Sequence, residues 1–260
     1  MKLNAVTAGD FDMAAPLVLV HGFGGGAFVW REVIAGLPEG YPVIAYDLPG
    51  HGLSLHAEGI GGAGRMAKAV IADLESRDIR QFHVAGHSLG GAASAILALK
   101  SPERVQSATL FAPGGFGSAI NHRALARYAS AETSAELRRA LEVMMGFNAN
   151  IPDAMVADML AARGDPAARE ALARIFEAMF VVSSSGERLQ GTLSMEGLAA
   201  LSMPQVVVWG EEDCILPPSQ SEGLPANIAV HRIPKAGHML VDECPERVIE
   251  LLRNAIMRSR

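Results

Sequence analysis

Gly86-His87-Ser88-Leu89-Gly90-Gly91 constrains this chain more than any other stretch. It has the form G-x-S-x-G and stands between an apolar run, residues 81–86, and a helix-like run, residues 90–99. A strand that becomes a helix within one residue holds that residue in a strained backbone conformation. Bulky neighbours would clash there, so glycines flank it. The turn lifts the Ser88 hydroxyl above the sheet and sets it at a helix N-terminus, where the dipole favours negative charge. The pentapeptide by itself is common, and the strand–turn–helix setting gives it force. The bland alternative is a tight turn with an idle serine.

Such an element needs a buried, mostly parallel sheet around it. Short β-branched-rich runs at residues 16–20, 42–47, 81–86, 105–112, 205–209 and 228–233 read as its strands. Helix-like stretches at 27–37, 64–77, 90–99 and 245–257 alternate with them, and Pro245 suits a helix start. The alternation predicts a doubly wound α/β fold with right-handed crossovers. It breaks between about Gly114 and Met195. There the chain reads as consecutive helices at 121–129, 134–145, 152–163 and 166–180, and Phe180-Val181-Val182 is too short to assign as a strand. The expectation is a core of residues 1–114 and 195–260 with a helical cap, residues 115–194, inserted after the strand that follows the nucleophile helix. Five of the twelve methionines lie in it: Met144, Met145, Met155, Met159 and Met179. They suit a pocket for an aliphatic group and ordinary helix packing equally. The Gly-rich segment 59–64 follows no strand and reads as a flexible connection, not a phosphate loop.

A serine hydroxyl needs a base to take its proton. His238 follows the last strand and precedes the last helix, which fits the chain order Ser…Asp…His. His21, His51, His56, His83, His87, His122 and His231 have no comparable placement. Asp213, in the loop after the strand 205–209, is the expected acid that orients the imidazole. Glu211 and Glu212 are its competitors, and Asp242 reads as a helix N-cap. The oxyanion would be held by the backbone N–H groups of Leu89, next after the nucleophile, and of Phe23 in His21-Gly22-Phe23-Gly24-Gly25. Phe23, His87, Met144, Met145 and Met239 are the expected substrate-binding residues.

With 50% hydrophobic and 19% charged residues over 260 positions, the composition is globular. The net charge of −6 argues against nucleic acid as a partner. Cys214 and Cys244 fit no ligand or disulfide framework and read as free, partly buried thiols, which points to a reducing compartment. No apolar run has signal-peptide or membrane-spanning length, so the expectation is a cytoplasmic protein with no membrane partner. Neither a metal nor an organic cofactor is expected. The expected partner is a small ester-like substrate, and a homodimer through the cap stays open.

Five segments taken in order resemble the α/β-hydrolase superfamily: HGFGG (21–25), DLPGHGLS (47–54), GHSLGG (86–91), WGEEDCILP (209–217) and AGHM (236–239). The resemblance implies a serine hydrolase. The segment from Phe111 to Asn121 looks like the hydrolase-like domain of acetoin dehydrogenase dihydrolipoamide acetyltransferase chains. Only about fifteen residues precede the first motif strand, which leaves no room for a lipoyl domain and suggests a stand-alone relative. The N-terminal β-hairpin common in the superfamily is expected to be missing. Haloalkane dehalogenases and epoxide hydrolases place Asp where this chain has Ser88. C–C hydrolases of meta-cleavage products often have Asn where it has His87, and enol-lactonases often have Met where it has Leu89. The leading expectation is therefore a carboxylesterase. The alternatives are a C–C hydrolase or enol-lactonase of aromatic degradation, and a non-enzymatic receptor or interaction subunit.

Overall fold

In the strand Leu17–Val20, all four residues are buried, and alternate ones join different cores: Leu17 and Leu19 one, Val18 and Val20 the other. Val43 and Ala45 divide from Ile44 and Tyr46 in the same way. That is the signature of a sheet covered on both faces. The computed structural model describes residues 2–257. Its strands are β1 (Ala5–Ala8), β2 (Leu17–Val20), β3 (Val43–Tyr46), β4 (Phe82–His87), β5 (Val105–Phe111), β6 (Phe180–Val182), β7 (Arg188–Gln190), β8 (Gln205–Gly210) and β9 (Ile228–Ile233). The main sheet runs β1-β3-β2-β4-β5-β8-β9, every pairing parallel except that of β1 with β3.

The helices are α1 (Arg31–Gly36), α2 (Ala63–Ser76), α3 (Leu89–Lys100), α4 (His122–Ser130), α5 (Ser134–Met144), α6 (Asp153–Ala161), α7 (Pro166–Ala178), α8 (Met195–Ala199), α9 (Leu240–Glu243) and α10 (Pro245–Met257). Val70 and Leu74 of α2 and Ala93 and Leu97 of α3 fill one face of the sheet, and Val33 of α1 with Val248 and Leu252 of α10 fills the other. In α10 the buried positions are Val248, Leu251, Leu252, Ala255 and Ile256, the spacing of one helical face.

Between β5 and β8 stand α4 to α7, as the periodicity suggests, with local reasons for the starts of α4, α5 and α7. Asn121 accepts from the Ala124 N–H, Thr133 and Glu136 form a capping box, and Asp165 precedes Pro166 at the first helical position. The all-helical reading of this segment needs correction. Phe180–Val182 pairs antiparallel with Arg188–Gln190, because a strand too short to recognise alone is completed by its partner. The N-terminal edge was also underestimated. β1 pairs with β3, and Asp73, fully buried, ties that edge down by accepting from the Leu3 N–H and the Tyr46 hydroxyl. Both cysteines are free, but Cys214 is exposed, because its neighbours Asp213 and Ile215 take the inward positions of the loop. Among the described residues, no helix is long and apolar enough to cross a membrane.

Candidate active site

The turn after β4 places Ser88 at φ 54° and ψ −116°, left-handed backbone that a serine adopts only under constraint. The constraint is visible: Ser88 N–H donates to the Phe111 carbonyl at the end of β5, and the Ser88 carbonyl accepts from Ala92 N–H in α3. Close approach explains the flanking glycines. A Cβ on Gly90 would collide with the carbonyl oxygens of Val20 and His21, and one on Gly86 with the Gly90 carbonyl and the Ser94 hydroxyl. Backbone cannot yield as a flexible side chain does. Gly90→Ala is therefore expected to lower stability by about 3 kcal/mol or more, read by chemical denaturation.

Asp213 lies in the loop after β8, and His238 in the loop between β9 and α9. His238 Nδ1–H donates to Asp213 Oδ2 at 2.8 Å, and Ser88 Oγ–H donates to His238 Nε2 at 2.9 Å. The other carboxylate oxygen, Oδ1, accepts from the N–H groups of Ile215 and Leu216 at 2.8 and 2.9 Å. All three side chains are buried. The arrangement fixes the histidine tautomer, with its proton on the Asp213 side and its lone pair toward the serine. Glu211 is exposed, and Glu212 accepts from the Phe147 N–H, so neither competes for the imidazole.

The loop His21–Gly25 passes beside Ser88, and two histidines for which the sequence suggested no role hold it. His21 Nδ1–H donates to Gly22 O at 2.7 Å, and its Nε2 accepts from Leu48 N–H at 3.0 Å. His51 Nε2 accepts from Gly24 N–H at 3.1 Å. Asp47 fixes the surrounding turns, taking the N–H groups of Ala27 and Leu53. From above, Tyr128 donates to Gly24 O at 3.3 Å. The Arg163 guanidinium, buried and 4.4 Å from the Tyr128 ring centre, donates to the Tyr128 and Met159 carbonyls. Among the described residues no protein acceptor takes the Phe23 or Leu89 N–H.

Burial holds several histidines neutral. His21 is lowered, His51 lies well below its ordinary value, and His83 and His87 are pushed down to about 4 and about 3. In the unfolded chain each titrates near 6.5. Below that pH the unfolded state takes up protons that the folded state refuses. Stability therefore falls with pH, each histidine adding a slope of about 1.4 kcal/mol per pH unit until its folded value is reached. Asp242 acts in the opposite sense. Burial, helped by Glu243 and Glu32, raises it to about 7, so between its unfolded range and pH 7 the folded state holds the extra proton. Four groups oppose one, and Tm is expected to drop steeply as pH falls from 6.5 toward 4. Thermal unfolding at stepped pH checks this, with His83→Gln flattening the slope.

Ser88 borders two cavities, one of about 1070 Å³ and one of about 20 Å³. Of the residues expected to bind substrate, Phe23, His87, Met144 and Met239 line the smaller. Met145 lines neither: it sits one residue past the end of α5, buried in the core. His87 lines the cavity but is also structural, its Nε2–H donating to the His238 carbonyl at 2.7 Å. Asp242 is no N-cap. It lies within α9 and lines the small cavity, because the helix begins before it, at Leu240, not after it at Pro245.

Glu243 is the residue the sequence hid most completely. Its carboxylate accepts from Gly237 and Met239 N–H on either side of His238, and from Gly146 N–H just past α5. His238 N–H in turn donates to the Met144 carbonyl at 2.7 Å. Glu243→Ala releases three donors at once and is expected to lower kcat by about 10²-fold through misplacement of the imidazole, with the fold retained by circular dichroism. Among the described residues, no group of three or more His, Cys, Asp or Glu is placed to hold a metal ion.

The likeness to known proteins accords with this geometry. Residues 17–251 match the model of the "Alpha/beta hydrolase family". The chain is 36% identical over 234 residues to the dihydrolipoyllysine-residue acetyltransferase component of the acetoin cleaving system of Pseudomonas putida. That match covers 90% of this chain and 61% of that protein, so the chain spans about three-fifths of its length. It is 29% identical over 251 residues to 2-hydroxymuconate semialdehyde hydrolase of Pseudomonas sp. strain CF600, covering 94% of this chain and 87% of that one. In fold it is similar to the meta-cleavage product hydrolase of Pseudomonas fluorescens IP01, with a TM-score of 0.83 at 22% identity over 99% of this chain and 94% of that chain. With a family match that runs from β2 into α10, the chain belongs to the alpha/beta hydrolase family.

Proposed function

We propose that the protein is a serine hydrolase that cleaves a carboxylic ester of a small or medium, largely apolar substrate through an acyl-enzyme. The observation that carries this reading is the unbroken chain Asp213–His238–Ser88, with two uncommitted backbone N–H groups, those of Phe23 and Leu89, flanking the serine. Ser88 Oγ attacks the carbonyl carbon as its proton passes to His238 Nε2, and Asp213 stabilises the imidazolium. The Phe23 and Leu89 N–H groups meet the charge that develops on the carbonyl oxygen. His238 returns the proton to the departing alcohol and then activates the water that releases the acid. No cofactor enters these steps.

A second reading keeps the same residues and changes the bond to a C–C bond beside a ketone. It is favoured by the similarity to a protein named 2-hydroxymuconate semialdehyde hydrolase. The test is treatment with an alkyl fluorophosphonate followed by peptide mapping, together with steady-state hydrolysis of methyl butyrate and of a vinylogous diketone acid. Modification of Ser88 with faster ester turnover is expected. An unmodified Ser88 in folded protein sinks both readings, and a large preference for the diketone replaces the first by the second.

A further inference from the structure

The two cavities at Ser88 differ in which partner of the serine they contain. The small one is lined by His238, Phe23 and the methionines Met144, Met159 and Met239. The large one is lined by Leu89 and by apolar walls that include Ile96, Leu125, Phe180, Ile215 and Leu216, and His238 does not reach it. Its charged members, such as Arg65 and Arg174, are exposed.

A proton transfer fixes how an ester must straddle them. His238 Nε2 carries the proton taken from Ser88 and has to hand it to the oxygen of the departing alcohol, within hydrogen-bond reach. The alcohol therefore faces His238, and the acyl group extends the other way. About 20 Å³ is room for a group the size of one water or methyl. About 1070 Å³ with apolar walls accommodates a long or branched hydrocarbon. Asp242, lining the small cavity, adds to the cost of threading an alkyl chain there.

We propose that the site takes esters of a bulky apolar acyl group with a compact alcohol, the acyl group in the large cavity and the alcohol against His238. The assignment rests on the acyl-enzyme reading. In it the Ser88 Oγ–carbon bond forms, the carbon–alkoxy bond breaks, and the His238 proton leaves on the small alcohol. Water then supplies hydroxyl to the acyl carbon and a proton to His238, and the second breakdown returns that proton to Ser88 Oγ.

Methyl octanoate and heptyl acetate test this, being isomers with the same atoms on opposite sides of the ester. Methyl octanoate is expected to exceed heptyl acetate in kcat/KM by at least about tenfold, given an effect on the order of fourfold per buried methylene. Ile96→Trp, which fills part of the large cavity, should lower methyl octanoate at least about fivefold more than methyl acetate. Met159→Ala, which opens the small one, should narrow the gap between the isomers. Equal or better turnover of heptyl acetate overturns the assignment and leaves the acyl-enzyme reading standing, as do selectivities that neither variant moves. Hydrolysis of neither isomer by folded wild type overturns the ester reading and the assignment with it.

Discussion

Ser88→Ala is expected to fold as the wild type does and to hydrolyse esters about 10⁵- to 10⁶-fold more slowly, with no covalent adduct from a fluorophosphonate. On the proposed acyl-enzyme mechanism the residual rate would come from the Phe23 and Leu89 N–H groups and from binding, which the substitution leaves in place. Stability is the control. Ser88 carries a left-handed backbone imposed by its neighbours, and alanine meets the same strain, so the melting temperature is expected to move little. A variant that keeps more than a tenth of wild-type turnover would remove Ser88 from the nucleophile's role.

Asp213→Asn is expected to cost about 10⁴-fold in kcat, and the reason is specific to this loop. Ile215 and Leu216 both donate to Oδ1, so an asparagine satisfies them by turning its carbonyl oxygen that way. Its amide NH2 then faces His238 Nδ1 and donates where the carboxylate accepted. The imidazole responds by moving its proton to Nε2, which can no longer accept from the Ser88 hydroxyl. Steady-state kinetics and the rate of fluorophosphonate labelling measure the loss. An Asp213→Asn enzyme within tenfold of wild type would show that another group orients His238.

The parts of this architecture written into the sequence are those whose signal is local. Val43 to Tyr46 is a continuous apolar run and Phe82 to His87 a mostly apolar one interrupted by buried histidines, because both faces of these strands are buried. Ser88, Asp213 and His238 come together because each stands just past a strand, in an order that a doubly wound sheet converts into proximity. Ala5–Ala8 was missed because an edge strand of four partly exposed residues has neither an apolar run nor a clean alternation. The pairing of Phe180–Val182 depends on a partner beyond a turn. Glu243, His21 and His51 were illegible as functional groups for a different reason. Their partners are backbone N–H and C=O groups, which every residue has, and only the folded path of the chain reveals which are left for them. Asp242 was misread because Pro245 promised a helix start that a preceding short turn of helix, Leu240–Glu243, had already used.

The seam between the segment after α5 and the His238 loop bears on how members of this architecture diversify. A helical insert between two strands has the outline of a cassette that recombination could exchange at will. Here His238 N–H donates to the Met144 carbonyl, Gly146 shares the carboxylate that grips both flanks of His238, and Phe147 reaches the Asp213 loop through Glu212. A transplanted insert that ended differently would arrive without its half of the seat for the imidazole. Chimeras spliced inside α6 or α7 are free of that demand, whereas those spliced before residue 147 must carry the 144–147 backbone with them. An exchange confined to α6 and α7 therefore leaves the backbone contacts around His238 in place.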